Sequence, residues 1–463
     1  YPGYLRLDCQ DTNNQGSNNQ TFELSAIDAV NATIDLETIA MKTLIRQKGV
    51  HGAIAVFTPQ INSEALHSEA LNLALESQLP VISPLNTESI IVSEGRSERF
   101  RQDREKTSPR KKLDYWARTI TSDRQHLSAI AQLTHQKNWQ RIATIAPDTP
   151  RGRHLEQLFT DALTPFGGTI VQPDTPIRYS LISSSGSSEL GYGQGLNSTD
   201  SSTPPPQLTA SAPQLLLSAD LASLSAQPPD AILLILSSTH QLESLQRLMV
   251  RLSETAELNQ TPVIIDRWVD VDELLQQSHI TPWLTVESSA DIDLQKPRVD
   301  LQDSQAQAAV IEKPDSPTSP SLQDESHGFK GIWGVAPKHQ LPRWKESRPA
   351  TTPLGTPTFL ASSYVWDAAA LMMLAAEAAG RNSKYGIQAE LRNVANPPGI
   401  EVTDICQGLE YIRQGESINY QGISGQVDLG GWGDVNRVQH YGVWRIDETG
   451  DRQSIEPLQW STP

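Results

Sequence analysis

Arg151 and Arg153 stand in the first turn of a predicted helix, 151–165, directly after Asp148-Thr-Pro150. Positive charge there opposes the helix dipole, and a nearby anion relieves the conflict. A guanidinium grips a carboxylate through two parallel hydrogen bonds, which marks Arg151 as a candidate for holding a ligand's acid group. Asp148 is the competing partner, and pairing with it would make the arginine structural. No motif of covalent or cofactor chemistry accompanies these residues. No GxGxxG follows a strand, the cluster Gly191-Tyr-Gly-Gln-Gly195 lies in a Ser-rich stretch, and there is no Walker loop, GxSxG elbow or HExxH. The ten histidines are scattered without ligand spacing, so no metal site and no cofactor are expected. Cys9 and Cys406 form no CxxC or Cys/His cluster. Cys9 follows an apolar alternation and Cys406 sits in a helical pattern, which predicts two buried free thiols, with one disulfide as the alternative. Together these features argue against an enzyme.

The elements that would position such residues follow a clear rhythm. Apolar runs at Gly52–Phe57, Pro80–Ser83, Arg141–Ala146, Ala231–Leu236 and Pro262–Ile265 read as strands buried on both faces. Helical patterns lie between them at 62–78, 122–137, 151–165 and 241–257. Strand and helix in alternation predict an α/β protein with parallel sheets and right-handed crossovers. In such sheets ligands bind at the carboxyl ends of the strands, so the residues just after each apolar run are the ones to inspect. The C-terminal third differs. A long Ala/Leu/Met-rich helix is predicted over 359–380, with further helices over 385–396 and 402–414. Two strand-like runs follow at 425–429 and 438–446, joined by the glycine turn Gly430–Asp434, and their lack of a crossover helix predicts antiparallel pairing.

Composition narrows the function classes. A net charge of -17 excludes a nucleic-acid surface and an anionic-membrane surface, both of which need a basic face. No stretch approaches the roughly 20 apolar residues that span a bilayer, and the chain opens on Tyr1-Pro-Gly-Tyr4 without a basic, apolar leader. Three segments break the rhythm: 93–112 with eight Lys/Arg against four Asp/Glu, the Ser/Gly/Pro/Thr-rich 179–211, and the acidic 287–326. Each lacks apolar surface to offset the entropy of ordering and reads as a solvated insertion. A basic docking patch is the alternative for the first.

In this order the elements resemble the type I periplasmic binding proteins, the family of the branched-chain amino-acid binding proteins of ABC importers. The resemblance is carried by Val50–Ala55 followed by Leu79–Pro84, by Arg118-Thr-Ile-Thr-Ser-Asp123, by Asp148–Gly152 and by Pro229–Leu233. It continues through Trp366-Asp-Ala-Ala369, Ile418–Gly425 and Gly433-Asp-Val435. It implies two doubly wound parallel-sheet lobes joined by three hinge crossings near 118–119, 335–337 and 419–421. Lobe one would comprise 1–118 and 338–418, and lobe two 119–337 and 419–463. Family members begin with a strand and helix before the segment resembling Tyr4–Cys9, and that first unit is not present here, so the pocket is expected to lack one of its loops.

The resemblance also implies a site. Thr58 and Gln60 after one strand, with Leu85, Asn86 and Thr87 after the next, match positions that hold a ligand's charged head group through hydroxyls and helix N-terminal amides. Asn86 or Thr87 would alternatively serve only as a helix cap. Arg151 takes the place of a common aromatic residue, and His240, Asp266 and Trp268 match further cleft positions. Trp268 falls where the family's amino-group-binding acid is expected, which weakens the case for an α-amino acid. The implied function is an exported, periplasmic or cell-surface solute-binding protein. It would close on an amino acid or small carboxylate and deliver it to the membrane subunits of an importer. The rival reading is a sensor or partner-binding module on the same fold, in which the insertions build the partner surface.

Overall fold

The computed structural model describes residues 34–47, 49–57, 68–88, 114–173, 176–182, 214–226, 228–236, 241–255, 258–266, 331–337, 359–431, 433–435, 441–447 and 452–458. The segments 93–112 and 287–326, all of 179–211 beyond residue 182, and Tyr4–Cys9 lie outside them.

The first lobe is built on a parallel sheet of order β1 (Ala53–Ile54), β2 (Val81–Ser83) and β3 (Trp116–Arg118). Alternate side chains enter different cores, as the pleat requires. Val81 and Trp116 pack with Met41 of α1 (Ile34–Arg46) and Leu71 and Ala74 of α2 (Glu69–Glu76). Their neighbours Ile82 and Ala117 pack instead with Ala368, Leu371 and Leu374 of α3 (Phe359–Ala378). That helix is largely apolar and mostly covered, with Val365 left exposed. Against it also lie α4 (Lys384–Ala395), α5 (Ile405–Arg413) and a small sheet of β4 (Ile400–Val402), β5 (Ile418–Gly422) and β6 (Gly425–Gln426). Residues 400–402 therefore form a strand parallel to 418–420, and the predicted helix begins only after Asp404, whose carboxylate caps it by accepting from Gln407 N.

The second lobe carries the larger sheet. Its centre is parallel: β7 (Arg141–Pro147), β8 (Ala231–Leu234), β9 (Val263–Ile265) and β10 (Ile332–Pro337). Ala143, Ile145, Ile232, Leu234, Val263 and Ile265 face α6 (Gln241–Glu254). Ile142, Leu233 and Ile264 face α7 (Asp123–Gln136) and α8 (Pro150–Leu163). Two strands of an antiparallel hairpin, Arg178–Ile182 and Gln214–Leu217, extend one edge, so the segment expected to be irregular from 179 starts as strand. On the other edge Tyr441–Ile446 pairs antiparallel with β10 and with Arg452–Pro457.

Two expectations change here. The runs at 425–429 and 438–446 do not pair with each other, because β6 closes on β5 in the first lobe while Tyr441–Ile446 joins the second-lobe sheet. Tyr420, Val427, Leu429 and Val435 all lie in the core with Ile82, whereas Tyr441 and Val443 lie with Ile142. The chain therefore leaves the first core between Val435 and Tyr441, later than the crossing expected near 419–421. The chain enters the second core between Ala117 and Leu127 and returns to the first between Val335 and Ala368. Cys406, on α5, is disulfide-bonded, which corrects the expectation of a free thiol there; the chain's other cysteine, Cys9, lies outside the described residues.

Candidate functional site between the lobes

The loop after β2 is held from both sides. Asn86 is 3% exposed, and its side-chain oxygen accepts from Phe57 N and from the Ser83 hydroxyl, each at 2.8 Å. Its side-chain nitrogen donates to Phe57 O at 2.7 Å and to Glu88 Oε2 at 3.3 Å. The side-chain oxygen and nitrogen of this amide thus tie the β1 and β2 loops together. Leu85 beside it is exposed. Arg118, 1% exposed, supports the same loop from the hinge: Nη1 donates to Asn86 O at 2.8 Å and Glu88 O at 2.9 Å. Its Nε lies 2.7 Å from Asp434 Oδ1, and its backbone N–H donates to Gly433 O at 2.9 Å. Gly433 has φ +77°, and a Cβ there would lie 2.1 Å from Trp116 O, so only glycine fits against the hinge strand. Arg118 thus fastens the loop after β2 to the segment at Gly433–Asp434.

Thr87 and Glu88 meet the second lobe across this junction. Thr87 O accepts from Asp123 N at 2.7 Å, at the start of α7, where Ser122 is the N-cap. Arg151, one residue into α8 behind the Thr149 cap, reaches the same place. Its Nη1 donates to Glu88 Oε1 at 2.7 Å, and its Nη2 donates to Asp123 Oδ2 at 2.9 Å and to the Thr87 hydroxyl at 3.2 Å. Burial disfavours its charge, but Asp123, Glu88 and Asp266, in that order, more than offset this and hold it above its ordinary value. Asp148, the partner considered from sequence, pairs instead with Arg153 at 2.9 Å on the surface. Asp266 is buried at the end of β9 and accepts from Leu236 N at 2.8 Å, joining two strand ends.

The structure therefore brings Thr87, Arg151 and Asp266 together. It adds Glu88, Asp123 and Arg118, which the sequence reading did not single out as ligand-site residues. Asp123 was legible as an acid in the first turn after a Ser cap, and Arg118 as one charge inside the buried run Trp116–Ile120. Thr58, Gln60, His240 and Trp268 lie outside the described residues. Among the described residues no group of three or more His, Cys, Asp or Glu could hold a metal ion, and no helix is long and apolar enough to cross a membrane.

Two α/β lobes, three chain crossings and a polar junction at the strand ends are the architecture the sequence resemblance implies. No family model and no curated protein matches the chain. Solved structures do. A leucine-binding protein from Thermotoga maritima is 14% identical, covers 92% of this chain and 85% of its own, and has a TM-score of 0.48. A solute-binding protein of an ABC transporter from R. palustris, solved with benzoate, is 10% identical over 92% and 82%, with a TM-score of 0.48. Another from R. palustris, solved with 4-hydroxybenzoate, is 14% identical over 93% and 84%, again with a TM-score of 0.48.

Proposed function

We propose that this chain is an exported solute-binding protein, not an enzyme, that closes its two lobes on a small polar ligand and presents the closed form to an importer. The observation that carries the reading is the junction itself. The carboxyl ends of β2 and β9 and the N-termini of α7 and α8 converge where the two lobes meet, and ligand contacts to both lobes would favour closure. Thr87 and Arg151 are the residues proposed to meet the ligand, with Leu85 at the rim. The disulfide at Cys406 supports an oxidising, extracytoplasmic setting.

A thermal-shift screen of the full chain against amino acids, amides, urea and small aliphatic or aromatic carboxylates tests this. A ligand at roughly 100 times its Kd contributes about 2.7 kcal/mol to folded stability. The expected result is an upward shift of a few degrees for one class of ligand, abolished in Thr87→Ala and in Arg151→Ala. Absence of a shift with every class would defeat the transport reading. One observation favours the partner-binding alternative: both terminal nitrogens of Arg151 are already bonded to carboxylates of the protein itself. On that reading the junction is a structural joint, and the screen stays silent.

A further inference from the structure

We infer that Glu88 and Arg151 form an ionic latch that holds the lobes together when no ligand is bound. Glu88 belongs to the first lobe by its anchorage, since its backbone carbonyl is gripped by Arg118 and its side chain touches Asn86. Arg151 belongs to the second lobe, on a helix whose Leu155, Leu158 and Phe159 lie in the core with Ile142. Their 2.7 Å contact therefore crosses the junction, while Asp123, in the same lobe as Arg151, aims the guanidinium from behind at 2.9 Å.

Three features distinguish this pair from an incidental surface contact. Its side chains are 25% and 19% exposed, so the charges are only partly screened, unlike the Arg153–Asp148 pair at 55% and 61%. The arginine is used at both terminal nitrogens, giving the pair a defined direction as well as charge. The Glu88 backbone is fixed by a buried arginine at the hinge, so opening the lobes must separate Glu88 from Arg151 and cannot be absorbed by the loop. A solute carboxylate approaching Nη1 of Arg151 competes with Glu88 for its charge, which makes Glu88 a built-in competitor that sets a threshold for anions.

The test needs no ligand, so its outcome is independent of the solute-binding reading on which the threshold rests. Spin labels on the exposed positions Tyr385→Cys of lobe one and Arg251→Cys of lobe two report the interlobe distance by double electron–electron resonance in the full disulfide-bonded chain. The expected result is a shift to longer, broader distances in Glu88→Gln, the same shift in the parent as sodium chloride is raised, and no further salt response in Glu88→Gln. Asp148→Asn, which makes the same charge change within one lobe, should leave the distribution as it is. A Glu88→Gln distribution that superimposes on the parent's would overturn the latch, and so would an equal shift in Asp148→Asn. The salt series on the parent keeps the inference open to refutation even if Glu88→Gln folds poorly: a parent distribution indifferent to salt overturns it.

Discussion

Asp367 shows how one buried charge can organise a chain reversal. It is fully buried on α3 and accepts from the Tyr420 hydroxyl, Ile423 N and Ser424 N, each at 2.9 Å, pinning the turn between β5 and β6. Gly422 lies so close that a Cβ would sit 2.4 Å from the Asp367 carboxylate. Burial first, and the Asp367 charge second, push the Tyr420 hydroxyl well above its ordinary value, which keeps it a donor. Removing the acceptor leaves buried donors unmatched, each worth about 1–3 kcal/mol and not fully additive. Asp367→Ala is therefore expected to lower unfolding free energy by about 2–4 kcal/mol, read as a lower urea midpoint at unchanged slope. At this scale the sequence was only partly informative. Asp367 was visible as part of a family-like Trp-Asp-Ala-Ala stretch, and Arg151 as a cation at the wrong end of a helix. The partners of both were hidden, because Glu88 lies 63 residues from Arg151 and Tyr420 lies 53 from Asp367.

Elements were far more legible. The runs at 52–57, 80–83, 141–146, 231–236 and 262–265 all contain strands of parallel sheets, and in the structure Ser122, Thr149, Ser383 and Asp404 cap helices by accepting from the backbone three residues on. Local chemistry suffices there: apolar continuity for buried strands, a side-chain oxygen for orphan amides. The elements that escaped were short or partnered from afar. Trp116–Arg118 is three residues long and contains a charge, and Ile400–Val402, whose last residue the predicted helix 402–414 took in, is a strand only through its pairing with 418–420. For α3 the pattern and the environment agree. Leu374 is fully buried between the parallel sheet and α5, with Gly408 close against it. Leu374→Ala should cost about 2–5 kcal/mol, and a loss below 1 kcal/mol in denaturant titration would mean this helix does not carry the first-lobe core.

At the scale of the whole molecule, ion pairing as well as the chain itself joins the two lobes, and the chain carries a disulfide at Cys406. The Cys406 disulfide should contribute about 2–4 kcal/mol. Reductant is thus expected to lower the melting temperature of the parent and to have no effect on Cys406→Ser; an unchanged melting temperature in the parent would show the bond adds nothing. The sequence by itself determined the class of fold and the position of its longer strands and helices. It could do so because hydrophobic period and capping chemistry are local properties of the chain. Only the tertiary structure decided where the last crossing falls, that Asn86 is a clamp, that Asp148 yields Arg151 to Glu88 and Asp123, and that Cys406 is bonded. Each of these turns on which distant groups come within about 3 Å of one another, and that depends on how two separately packed cores are set together.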